Sequence, residues 1–200
     1  MHFIEALESG KSRHIVCYGC SLTADGAWVT QLRNILNRRY PGLVTVTNSG
    51  ENGMWSRWGL ENLKERVVAK SPDVVFIEFS MNDAYFPYRT SLEEIQDNLN
   101  AMIDRIFQAK SDTEIIIMVM NPPVGEHLAI RPDILNYNQV YRDVAGKRNL
   151  FLIDHYSNWV RILEKDSATF ERYVPDGIHP NELGSRMVTT PHILSSLGLL

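Results

Sequence analysis

Five short apolar runs, alternating with stretches of helical spacing, constrain this chain more than any other feature. The runs are His14–Gly19, Leu43–Asn48, Val74–Phe79, Glu114–Met120 and Leu150–Asp154. Val74–Phe79 is apolar nearly throughout, which suits a strand covered on both faces. After the first run, Trp28, Val29, Leu32, Ile35 and Leu36 recur at helical intervals between Ala27 and Tyr40, and Pro41-Gly42 stops that helix. A second helix is predicted from about Arg57 to Lys70, ended by Ser71-Pro72-Asp73. A third begins at Ser91, with Glu94 at capping-box spacing and a stripe of Ile95, Leu99, Met102, Ile103 and Ile106. Asn121–Pro132 reads as a proline-containing loop. Further helices are predicted at about Asp133–Lys147 and Asn181–Leu197, with a variable helical stretch between. The residues ahead of His14 are polar and read as an irregular lead-in. Strands alternating with helices predict the α/β class: a parallel sheet with helices on both faces, a three-layer α/β/α sandwich of doubly-wound type. The length of 200 residues favours one domain, 1–200, able to bury about 70% of its surface without metals or disulfides.

Charge and composition remove some classes of function. A formal net charge of −4 with no Lys/Arg cluster argues against a nucleic-acid binder. No apolar run reaches the roughly 18 residues of a membrane span, and no basic start followed by an apolar stretch marks a secretory signal, so a cytoplasmic protein is expected. Assembly into a homo-oligomer stays open. Cys17 and Cys20 form a single C-x-x-C, too few ligands for a structural zinc site. The first cysteine lies inside the predicted strand, whereas a redox pair places its attacking cysteine at a helix N-terminus.

In an open α/β sheet, ligands bind beyond the carboxyl ends of the strands. The chemistry-bearing residues fall there. Gly19-Cys20-Ser21-Leu22 follows the first strand, Asn48-Ser49-Gly50-Glu51-Asn52-Gly53 the second and Ser80-Met81-Asn82-Asp83 the third, while Asp176-Gly177-Ile178-His179-Pro180 precedes the last helix. Together they supply a hydroxyl, backbone donors, an amide and an acid–base pair, as acyl transfer requires. A serine hydroxyl is a weak nucleophile until a base takes its proton. Imidazole suits that role at neutral pH, and a carboxylate fixes its tautomer. Preset donors must then meet the oxyanion.

These four segments resemble, in order and spacing, the sequence blocks of the SGNH (GDSL-type) hydrolases, and the resemblance spans nearly the whole chain. It implies Ser21 as nucleophile, His179 as base and Asp176 as its orienter. It further implies an oxyanion hole from the Ser21 N–H, the Gly53 N–H and the Asn82 side chain. The fold it implies is a flavodoxin-like five-stranded parallel sheet of order 2-1-3-4-5, and no cofactor or metal is expected. The substrate would be a small ester, with short acyl groups such as O-acetyl on a carbohydrate leading, and thioesterase or lysophospholipase activity as the alternatives. Two positions depart from the pattern: Cys20 stands where an Asp is usual, and Ser80 where a Gly is usual. Those departures motivate a rival reading, a non-catalytic ligand-binding relative.

Other residues compete for attention. Gly50 is the competitor of Gly53. Asp154-His155 is a second acid–base pair, but adjacent side chains on an extended chain point to opposite faces. The aromatic segment Ala84–Arg89, with Tyr85, Phe86 and Tyr88, and Trp55 and Trp58 after the glycine block could wall a substrate pocket or pack a surface loop, and His127 in the proline-containing loop could touch substrate.

Overall fold

The computed structural model describes residues 2–200. Its sheet is built from β1 (Arg13–Gly19), β2 (Val44–Asn48), β3 (Val74–Glu78), β4 (Glu114–Val119) and β5 (Phe151–Asp154), in the order β2-β1-β3-β4-β5. Every pairing is parallel. Each crossover therefore needs a helix, and the sequence supplies one each time. On one face α4 (Ser56–Arg66), α6 (Leu92–Ala109) and α8 (Ile134–Lys147) pack in a row; on the other lie α3 (Ala27–Arg39) and α12 (Thr190–Ser196). The three-layer α/β/α arrangement follows from the buried strands, whose β3 residues are all sequestered.

Local signals act as the sequence suggests, with three differences. Ser91 caps α6, accepting the Glu94 N–H at 3.1 Å. The Glu94 carboxylate, however, reaches across to Arg57 at 2.6 Å instead of closing a capping box. The residues ahead of His14 are not an irregular lead-in: His2–Glu8 form α1, which buries Phe3 and Leu7. Its Phe3 and His2 N–H groups meet the Glu114 carboxylate at the start of β4, so α1 closes the end of the sheet away from the strand termini that carry the motifs. The last helix is not continuous. It runs as α11 (Glu182–Gly184), a wider π turn over Ser185–Thr189, and then α12. Pro191 lacks the N–H that would bond the carbonyl four residues earlier, and its ring crowds that carbonyl, so the ladder slips there.

Between β5 and this helix, α9 (Tyr156–Lys165) and α10 (Ser167–Tyr173) enclose a separate apolar cluster of Trp159, Phe170, Val174 and Val188. That cluster underpins the turn carrying Asp176 and His179.

Candidate active site

The turn carrying Ser21 begins where β1 ends. Cys20 is extended, and its carbonyl accepts the N–H groups of Thr23 and Ala24 at 2.9 and 2.8 Å. The result is a single helical turn, α2 (Ser21–Ala24), with Ser21 at its first position. Among the described residues the Ser21 N–H has no hydrogen-bond acceptor. Its Oγ lies 2.8 Å from His179 Nε2.

The partner turn is built from Pro175-Asp176-Gly177-Ile178-His179. Asp176 Oδ1 accepts the Ile178 and His179 N–H groups at 3.0 and 2.7 Å, and Oδ2 lies 2.6 Å from His179 Nδ1. An ionised carboxylate only accepts, so Nδ1 carries the ring proton and Nε2 is left to accept from Ser21. Desolvation pushes the Asp176 carboxyl upward, but the hydrogen bonds from His179 and Ile178 outweigh it and hold it below the usual carboxylate range. The turn is tied to the loop after β4: Asn121 Nδ2 donates to the Ile178 carbonyl at 2.9 Å, and the Val124 N–H to that of Gly177 at 2.9 Å.

Two further donors face the same cleft. Gly53 has φ +76°, a left-handed conformation that favours glycine, and its N–H has no acceptor among the described residues. Tyr88 Oη holds the Gly53 carbonyl at 2.7 Å, fixing that peptide. Gly50 is separated from this role, because its N–H is engaged by Asn48 Oδ1 at 3.0 Å and its Cα packs under Ala24. Asn82 begins on α5 (Ser80–Asp83) just beyond β3; its Nδ2 donates to the Met54 carbonyl at 3.1 Å and its Oδ1 accepts from Arg131 at 3.2 Å. Ser80, the other departure from the family pattern, is buried at the head of α5 without disturbing it.

These groups line an open cleft of about 650 Å³ that also presents Asp25, Asn52, Tyr85, Tyr88, His127 and Arg131. Tyr85 and His127 thus stand where the sequence suggested. Phe86 does not: it is 71% exposed and outside the cleft, on a segment whose N–H is tied to the Ile130 carbonyl. Trp55 is a second correction, since it stacks behind Tyr88 with ring centroids 4.4 Å apart instead of walling the cleft. Trp58 packs on Tyr18 and under Arg66. Tyr88 belongs to the aromatic segment Ala84–Arg89 that the sequence offers as a pocket wall, and Asn52 to the run after β2; sequence reasoning missed Asp25 and Arg131. The signal for Arg131 was its place in the loop beyond β4, another strand end.

The rivals are placed elsewhere. Asp154 is paired with Arg142 at 2.7 Å and caps the Tyr156 N–H at 3.0 Å. His155 is fully buried against His192, and burial pushes its imidazole down to about 3. Cys17 and Cys20 are free, buried thiols whose pKa values burial raises, the opposite of a reactive thiolate. Cys20 Sγ instead lies 3.3 Å from the carboxylate of Glu78, which also accepts from Thr23 Oγ1 at 3.3 Å. Where the family pattern places an acid in the turn itself, this chain brings one from the adjacent strand.

A model of the GDSL-like lipase/acylhydrolase family matches residues 15–187. The isoamyl acetate-hydrolyzing esterase 1 homolog of Rattus norvegicus is 24% identical over an alignment spanning 94% of this chain and 84% of the relative. An uncharacterized lipoprotein, YqeF, of Bacillus subtilis is 26% identical, spanning 87% and 85%. The crystal structure of an acetylxylan esterase from Geobacillus stearothermophilus superposes with a TM-score of 0.80 at 21% identity, covering 94% of this chain and 95% of that one.

Proposed function

The chain belongs to the GDSL-like lipase/acylhydrolase family and is a carboxylic ester hydrolase; on that premise we propose that it cleaves short-chain acyl esters through an acyl-enzyme on Ser21. The observation that carries this reading is the unbroken line from Ser21 Oγ to His179 Nε2 at 2.8 Å and from His179 Nδ1 to Asp176 at 2.6 Å. Ser21 Oγ attacks the ester carbonyl while Nε2 takes its proton. The carbonyl oxygen becomes an oxyanion, met by the free N–H groups of Ser21 and Gly53 and by Asn82 Nδ2. The imidazolium, stabilised by Asp176, returns the proton to the departing alcohol oxygen as the C–O bond breaks. Water then adds to the acyl-enzyme, losing its proton to Nε2, and Ser21 leaves with that proton, releasing the carboxylic acid.

Two observations support a short acyl group and a hydroxylated alcohol. The recess beside Ser21 and His179 walled by Leu22, Trp28 and Met120 holds only about 20 Å³, too little for a long chain. The wider cleft is rimmed by hydrogen-bonding groups, with Asn52 Nδ2 on Asp25 Oδ2 at 2.8 Å, and by the Tyr85 and Tyr88 rings. Acetate esters also figure in the names of the rat relative and the Geobacillus enzyme. The test is S21A assayed on p-nitrophenyl acetate: hydrolysis is expected to fall by about 10⁴-fold or more with the circular dichroism spectrum unchanged. Retention of more than a few per cent of activity would refute the nucleophile. A panel of p-nitrophenyl esters and matching thioesters is expected to show kcat/KM highest for acetate and falling with chain length.

A further inference from the structure

Arg131 is a charged side chain that the reaction as written does not use. It lies between α7 (Glu126–Ala129) and α8, is only 5% exposed, and reaches the floor of the cleft. Its Nε donates to the Met81 carbonyl at 2.8 Å, Nη1 to the His127 carbonyl at 3.3 Å and Nη2 to Asn82 Oδ1 at 3.2 Å. The guanidinium also sits 5.0 Å from the centre of the Tyr85 ring. Among the described residues no carboxylate is paired with it. Burying a charge without a counter-ion is costly, so such a cation is unusual. Here neutral dipoles and a ring face hold it, and its charge stays uncancelled.

The consequence falls on Asn82. An amide can sit either way round, and its two ends have opposite roles. Arginine has no acceptor, so the end facing Arg131 must be Oδ1. The Met54 carbonyl has no donor, so the end facing it must be Nδ2. Both neighbours impose the same orientation. One Nδ2 hydrogen goes to Met54 and the other is left for the cleft. A cation on the oxygen side also draws electron density from the amide and strengthens that remaining donor.

We propose that Arg131 is a positioning residue for this reaction: it locks the Asn82 amide with an N–H toward the reacting ester and keeps a fixed positive charge behind the oxyanion. This rests on the reading of Asn82 as an oxyanion donor. The experiment is a double-substitution cycle with wild type, R131M, N82A and R131M/N82A, reading kcat and KM for p-nitrophenyl acetate. R131M is expected to lower kcat about tenfold to a hundredfold with KM within about threefold, and to cost less than about threefold once Asn82 is absent. Equal losses in the two backgrounds, or a change confined to KM, would overturn it, leaving Arg131 a framework or substrate-contact residue. R131K repeats the cycle where the apolar variant does not fold. Lysine keeps the charge but not the planar fork, so partial kcat is expected only while Asn82 is present, and an equal loss in its absence overturns the proposal too. S21A in parallel separates the two readings: an active S21A fails the acyl-enzyme, whereas an inactive S21A with an additive cycle fails Arg131 alone.

Discussion

Glu78 brings a carboxyl into the sheet interior directly beneath the turn that carries Ser21. The β1–β3 register sets it opposite Gly19, so its side chain meets Cys20 and Thr23 and its carbonyl accepts the Cys20 N–H at 3.0 Å. Burial drives its pKa from near 4.5 up to about 8, against the opposing hydrogen bonds from Cys20 and Thr23. The folded protein therefore keeps a proton that the unfolded chain has lost between those values. Stability contributed in the acid range is lost as pH rises through that window. Burial also raises Asp83, to about 6, and lowers His155 from 6.5 to about 3 and the neighbouring His192 below 6.5, but those windows end by about pH 6.5. From pH 6.5 to 8 the unfolding free energy is thus expected to fall by about 1.5 kcal/mol on account of Glu78 alone. Urea titrations across that range should show the fall in wild type and a flat profile in E78Q; an equal slope in E78Q would count against a buried, proton-retaining Glu78.

The elements differ in how plainly the sequence announces them. Strands such as β3 and β4 were legible because nearly every residue is apolar, and the Ser91 cap because its spacing to Glu94 is local. The α1 helix was not legible: seven residues give too few turns for Phe3 and Leu7 to show a period, and only packing on the sheet makes it a helix. The π turn required weighing one proline against a good apolar stripe. Ser21, Asp176, His179, Gly53 and Asn82 could be picked out because their motifs are short runs. Arg131 and Glu78 owe their places to contacts 49 and 58 residues away, which no local pattern encodes. Asp83 shows how one buried side chain joins elements: it accepts the Ser56 N–H at 2.9 Å, at the start of α4, and Tyr141 Oη on α8 at 2.6 Å. Asp83→Ala strands both donors in the core and is expected to cost about 2–4 kcal/mol by urea unfolding, with Asp83→Asn recovering about half of that. A loss below about 0.5 kcal/mol would show that the two helices do not depend on this junction.

Across the whole molecule, structure and chemistry occupy opposite ends of the sheet. The cleft opens at the carboxyl ends of β1, β2 and β3, while α1 is fastened to Glu114 at the start of β4. Removing residues 1–9 exposes the sites of Phe3 and Leu7 and is expected to lower stability by about 3 kcal/mol, after the entropy of ordering the helix is deducted. Turnover per folded molecule, counted by fluorophosphonate titration of Ser21, is expected to stay within about twofold of wild type. A collapse in turnover per labelled serine would mean that the two ends are coupled. One feature of the site also bears on its biosynthesis. Asp176 and His179 come from a single turn, yet Ser21 lies 158 residues before that histidine. A chain made from its N-terminus presents Ser21 long before the turn that carries His179. The last strand, β5, ends at Asp154, so the sheet is complete before that turn, and on the reading proposed above the serine stays inert until the turn folds against it.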